Sequence, residues 1–233
     1  MAAAGDLEAA AAALHLCGWL DGHGADLRGQ LLAEGRLRRF TRGQWVSAEG
    51  DEEGGLFVVV RGTFQTYAEA VGDREVLLSQ VTRGRAFGQS VRFGGGPRLV
   101  TAISLGDGLI LQADDHALAR IAEREPLIWR AIASLHYAQL RAMVQLIAEF
   151  TALPPRQRLA ARLLRFATGQ KDSHRLLLAQ QDLADMTGLS RKTVNACLSE
   201  LEARGLIRRK YASIDIVDLP GLRAYASAPA RVD

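Results

Sequence analysis

The residues best suited to do chemistry stand at the start of a helix-like stretch, TGLSRKTVNACLSELEARGLI (187–207), as Arg191, Lys192 and Asn195. The helix dipole already puts partial positive charge at that end, so two cations there are mildly unfavourable for the helix alone. An anion outside the protein would explain them. An arginine can pair with guanine O6 and N7, an asparagine can read adenine, and a lysine can hold guanine or a phosphate. Gln180, Gln181, Ser190 and Thr193 flank these three and complete the candidate DNA-facing set on the two helices.

The stretch before it, QQDLADMTG, reads as a shorter helix with Leu183, Ala184 and Met186 as packing residues. Gly188 supplies a tight turn and Ser190 an N-cap for the second helix. Helix, short glycine turn, helix is the helix-turn-helix pattern, in which the start of the second helix enters the major groove. Val194, Cys197, Leu198 and Leu201 form the buried side of that second helix. GLIRRKYASIDIVD follows, with Ile207, Ile214 and Ile216 around a polar turn, and reads as a hairpin wing. Arg208, Arg209 and Lys210 would then lie near the nucleic-acid backbone and add to the salt dependence of binding. Charge supports this placement: from residue 155 on there are 14 Lys/Arg against 8 Asp/Glu, whereas residues 1–154 hold 15 against 18.

Other chemistries lack their residues. There is no Ser/His/Asp grouping, no Walker-type phosphate loop and no metal-ligand spacing, so no enzyme is expected. The Gly-rich FGGGP at 93–97 reads as a turn. Cys17 and Cys197 are too few and too far apart for a metal cluster. Sparse cysteine, no basic n-region at the N-terminus and no 18-residue apolar run lead us to expect a cytoplasmic protein without a membrane span.

The elements that must position these residues come in two kinds. Residues 7–34 read as short helices, and 36–113 as short strands between glycine-bearing turns, an antiparallel sandwich or barrel. From Asp114 the pattern is helical. Residues 126–152 form one long helix opened by Pro126 and ended by LPP at 153–155. Ile128, Leu135 and Ala142, with Ile132, Gln139 and Leu146, recur every seven residues and read as a coiled-coil seam for a homodimer. The same pattern also fits a helix packed on its own sheet. The expected domains are 1–125, 126–153 and 154–233.

In this order of elements, in QQDLADMTGLSRKTVNACLSELEARGLI and in GRAFGQ, the chain resembles the cyclic-AMP receptor protein/fumarate-nitrate regulator (Crp/Fnr) family of bacterial transcription factors. The resemblance runs from about residue 30 to the C-terminal region. It implies an α+β fold: an N-terminal antiparallel β-roll like cyclic-nucleotide-binding domains, a long dimerisation helix and a C-terminal winged helix-turn-helix. It also implies a homodimer on a roughly palindromic DNA site, with Arg191 matching the family's guanine-reading arginine and RNA polymerase as a further partner, through loops such as 168–175.

The family's nucleotide cassette corresponds to FGQSVRFGGGPRL (87–99). Gly88 is kept, and Arg98 stands where the phosphate-binding arginine is expected. Gln89 replaces the ribose-binding glutamate and Leu99 the serine beside the phosphate, while Met143 and Val144 occupy the adenine-contacting positions. Arg98 is then either an anion site or a solvated cation. A carboxylate holds a ribose hydroxyl more strongly than an amide does, so the expectation is a regulator not tightly dependent on cyclic AMP. The alternative is one that responds to cyclic AMP or cyclic GMP. No cofactor is expected. The iron–sulfur branch lacks its cysteines; His15, His23, His116 and His136 match no haem-ligand pattern, which leaves haem or a small anionic effector open.

Overall fold

The computed structural model describes residues 4–23, 26–72, 74–91, 96–168, 175–211 and 213–228. Two helices open the chain, α1 (Ala4–His15) and α2 (Leu27–Glu34). Eight strands follow: β1 (Arg36–Phe40), β2 (Trp45–Ser47), β3 (Leu56–Arg61), β4 (Phe64–Ala70), β5 (Arg74–Val81), β6 (Ala86–Phe87), β7 (Thr101–Ser104) and β8 (Gly108–Ala113). They make two antiparallel four-stranded sheets, in the orders β1-β8-β3-β6 and β2-β7-β4-β5. Then come α3 (Asp115–Arg124) and α4 (Ile128–Ala152).

The apolar run LFVVV in β3 explains how the roll is layered. Successive side chains of a strand point to opposite faces. Phe57 and Val59 enter the core between the sheets with Phe40, Phe64, Phe87 and Ile110. Leu56, Val58 and Val60 face the other way and pack with Leu14, Leu31, Leu118, Ile121 and Ile128. A sheet covered on both faces has no room for the alternation of polar and apolar residues that a half-exposed strand displays. Asp6 on α1 is buried and accepts hydrogen bonds from Arg39 and Arg61, which satisfies its charge away from water.

The long helix departs from the expected seam. Ile128, Ile132 and Leu135 are buried in the roll's own core, beside Ala131. Gln139 turns the same way and hydrogen-bonds to the roll, and Ala142 and Leu146 are half-buried. These six therefore do not form an exposed seam. The large apolar residues of the helix left in solvent are Tyr137, Leu140, Met143, Val144 and Ile147, each between 55% and 68% exposed. Tyr137, Leu140, Val144 and Ile147 alternate steps of three and four, a second apolar stripe on the same helix. A seven-residue period is shared by every face of a helix, so the pattern alone did not say which stripe the roll would take.

The chain divides into two compact units, Met1–Arg141 and Ala142–Asp233. The division falls inside α4 and not at the 153–155 break, because the early turns of this helix pack on the roll while Glu149 pairs with Arg165 (2.6 Å) in the C-terminal unit. That unit holds α5 (Pro155–Thr168), β9 (Arg175–Leu176), α6 (Gln180–Thr187), α7 (Arg191–Ala203), β10 (Ile207–Lys210), β11 (Ser213–Ile216) and α8 (Leu219–Ser227). Its sheet has the order β10-β11-β9, so the expected hairpin gains a third strand.

Arg158 of α5 braces the unit. Its Nη1 donates to the Thr187 carbonyl at the end of α6, and its Nη2 to the Leu153 carbonyl just past α4. A cation at helix C-termini meets the negative end of the dipole. Gly188 ends α6 in the left-handed conformation (φ 63°). Ser190 caps α7 by accepting from the Thr193 N–H (3.1 Å).

Two outcomes test this packing. Gly188→Ala forces a Cβ into the left-handed region and should lower the unfolding free energy by about 1–2 kcal/mol in urea titration. The Cys197 thiol is pushed up by burial, with Glu200 adding to the rise and Arg156 opposing it. The folded chain then holds less thiolate than the unfolded chain at pH 8. Alkylation of Cys197 by iodoacetamide, followed by mass spectrometry, should be slower in the native protein than in urea; equal rates would mean that this face of α7 is open.

Candidate nucleic-acid interface and roll cassette

The second helix of the pair buries Val194, Cys197, Leu198 and Leu201, all expected core residues, against the rest of its unit. That fixes its rotation and turns Arg191, Lys192 and Asn195 outward. Among the described residues, Arg191 and Lys192 make no hydrogen bond or ion pair within the chain. Ser190 and Thr193 are used locally: the Ser190 oxygen caps the helix and lies 2.9 Å from the Thr193 hydroxyl. Gln180 is exposed at the start of α6. Gln181 is also exposed and donates to both carboxylate oxygens of Asp185 (3.1 and 3.0 Å).

The wing cations do not all face outward. Arg209 donates through Nε to Glu202 Oε2 (2.7 Å) and through Nη1 to Asn195 Oδ1 (2.9 Å), and its backbone N–H reaches Glu202 Oε1 (2.8 Å). Those hydrogen bonds, the backbone one first, hold the Glu202 carboxyl below its ordinary range. Arg209 therefore ties the wing to α7, and its Nη2 group keeps its donors. The clamp also occupies one lone pair of Asn195 Oδ1, orienting the amide that would read a base; its Nδ2 group keeps its donors. Lys210 pairs with Asp215 across the hairpin (2.5 Å), which reduces its free charge. Arg208 stands exposed beside them. Glu202 was invisible as a functional residue in the sequence: its partner lies seven positions on, across a helix-to-strand turn.

In the roll, Gly88 follows β6 with φ 89°. A Cβ there would lie 2.6 Å from the Phe57 ring and 2.9 Å from Arg98 Nη1, so the position accepts no larger residue without displacement. Arg98 is 5% exposed, which removes the solvated-cation alternative. Its guanidinium lies 4.8 Å from the centre of the Phe57 ring and donates to the Gly88 carbonyl (3.1 Å). Burial holds its pKa below the usual arginine range, while Asp51, Glu53 and Asp115 act in the opposite direction. Among the described residues no carboxylate hydrogen-bonds to it.

The other expected pocket residues differ in exposure. Leu99 is 66% exposed, and Met143 and Val144 project into solvent along α4. Gln89 is buried, and its Nε2 donates to Gln139 Oε1 (2.7 Å). Residues 92–95 of the cassette, Gly169 and most of the 168–175 loop lie outside the described residues. Within the described residues there is no cluster of three metal-ligating side chains, and no helix is long and apolar enough to cross a membrane.

Comparison with known proteins agrees with this geometry. A model of the cyclic nucleotide-binding domain matches residues 37–125, and one of the Crp-like helix-turn-helix domain matches residues 157–225. A CRP-like cAMP-activated global transcriptional regulator of Mycobacterium tuberculosis is 30% identical over 187 residues, 77% of this chain and 83% of that protein. The nitrogen fixation regulation protein FixK of Bradyrhizobium diazoefficiens is 26% identical over 206 residues, 83% of each chain. The structure of FixK2 from Bradyrhizobium japonicum shares the fold with a TM-score of 0.70 at 18% identity, over 84% of this chain and 99% of that one. Two successive domain matches, a relative at this identity and a winged helix-turn-helix with an outward-facing recognition helix make the chain a member of the Crp/Fnr family of DNA-binding transcription regulators.

Proposed function

We propose that the protein binds a roughly palindromic DNA site as a homodimer, without a tight requirement for cyclic AMP. The observation that carries the reading is the pair Arg191 and Lys192, exposed and unpaired among the described residues at the start of α7. Arg191 reads a guanine, Lys192 its neighbour or a phosphate, and Asn195 an adenine held in register by Arg209. Arg208 supplies the wing's backbone contact. Two copies meet through Tyr137, Leu140, Val144 and Ile147, whose spacing suits a helix pair, with Met143 beside them. The dimer then presents two recognition helices about one DNA turn apart.

Independence from cyclic AMP rests on the cassette. The amide of Gln89 is engaged by Gln139, Leu99 has no hydroxyl to offer, and Met143 and Val144 suit an apolar interface better than a base edge. Arg98, buried with no carboxylate hydrogen-bonded to it among the described residues, is the feature favouring a nucleotide-responsive regulator. The reading assigns no catalytic step and includes contact with RNA polymerase in the cytoplasm, where the chromosome lies.

The first test selects bound sites from a random DNA pool with and without cyclic AMP. A palindrome recovered equally in both supports the reading; one recovered only with cyclic AMP restores the nucleotide-responsive alternative. On the selected site, Arg191→Ala should cost about 1–3 kcal/mol and erase preference for one guanine per half-site, measured by fluorescence anisotropy. Leu140→Glu puts a charge into the proposed seam and should convert the dimer to monomer in sedimentation experiments. A Leu140→Glu dimer of unchanged stability would move the interface elsewhere.

A further inference from the structure

The roll and the long helix are joined by an interaction that the family assignment does not supply. Gln89 is 2% exposed, and its bond to Gln139 is the one hydrogen bond its side chain makes among the described residues; its Oε1 has no partner there. Gln139 in turn donates through Nε2 to the Ala86 carbonyl (3.3 Å). One side chain of α4 therefore grips both sides of the Gly88 turn. The turn itself is held by Phe57 and Arg98, which leave no space for a Cβ at Gly88. A buried amide that loses its only partner is left without hydrogen bonds in a place water does not reach, which disfavours opening. Gln139 also lies between Tyr137 and Leu140, so the turn of α4 that it anchors carries the start of the exposed stripe.

We propose that the Gln89–Gln139 bond is a built-in latch that sets the position of α4 on the roll, so that the dimer adopts its DNA-binding arrangement with no ligand in the cassette. Gln89 and Gln139 are positioning residues and touch no DNA. The proposal rests on the reading that cyclic AMP is dispensable, and it supplies the reason for it. An effector shifts a two-state protein only through its preference for one state. A side-chain bond present in every molecule exerts the same bias permanently.

The test uses the full chain and the palindrome selected above, with a single half-site fragment as control. Gln89→Met removes the bond with little change in shape, and Gln139→Ala removes it together with the bond to the Ala86 carbonyl while keeping helix propensity. Each should weaken palindrome binding about tenfold, the size of one buried hydrogen bond, and leave half-site binding unchanged. The double variant should lose no more than Gln139→Ala alone, because that variant already removes the shared bond. Gln139→Glu retains an acceptor for Gln89 Nε2 but loses the donor to the Ala86 carbonyl, and should fall between wild type and Gln139→Ala. Circular dichroism melting establishes that each variant is folded.

Unchanged palindrome binding in the single variants would overturn the latch while the cyclic-AMP-independent reading stands. So would losses that multiply in the double variant, or equal losses on palindrome and half-site. A wild-type protein that binds the palindrome only with cyclic AMP would overturn the reading and the latch together.

Discussion

A helix that is apolar on two sides must find a partner for each, and much of this molecule follows from that constraint. The roll takes one side of α4, burying Ile128, Ala131, Ile132 and Leu135 where each large side chain contributes about 1.5–3 kcal/mol. The other side, from Tyr137 to Ile147, remains in water in the single chain. A contiguous exposed apolar stripe of this kind marks an interaction surface. The sides are assigned by packing, because Ile128, Ala131, Ile132 and Leu135 join one buried cluster with residues of α1, α2, α3, β3 and β8.

In the C-terminal unit the same division of labour applies to charge. Some arginines are structural. Arg158 joins helix ends, and Arg162 lies 5.1 Å from the Phe166 ring, its pKa lowered to about 10 by burial first and then by Arg165. Arg209 clamps the wing to α7 through Glu202 and Asn195. Others have no such duty. Arg191 and Lys192 oppose the dipole of their own helix and have no protein partner among the described residues. That arrangement is mildly unfavourable in the free protein and favourable beside a polyanion. The basic balance of the region therefore includes cations already engaged by protein groups.

The cassette has a frame built from its own side chains. Gly88 is required by Phe57 and Arg98 packing against it, whatever the pocket holds. Arg98 satisfies itself on a ring face and a carbonyl, a contact that a cation makes readily. Gln89, an amide where a carboxylate would carry charge, can be buried against Gln139 without the desolvation penalty of an ion.

The sequence by itself determined the order of elements, the two helices around Gly188, the cap at Ser190, and the outward Arg191 and Lys192. Each of these follows from local rules: helical period, turn chemistry and dipole. The identities of the cassette residues are likewise read directly from a short motif. The sequence did not determine which stripe of α4 faces the roll, since residues seven apart repeat on every face. The division of the chain inside α4, the third strand contributed by Arg175 and Leu176, the Arg209–Glu202–Asn195 clamp and the Gln89–Gln139 bond were decided only in three dimensions. They join residues far apart in the chain or across a change of secondary structure, where no periodicity reports contact and only packing decides which polar group meets which.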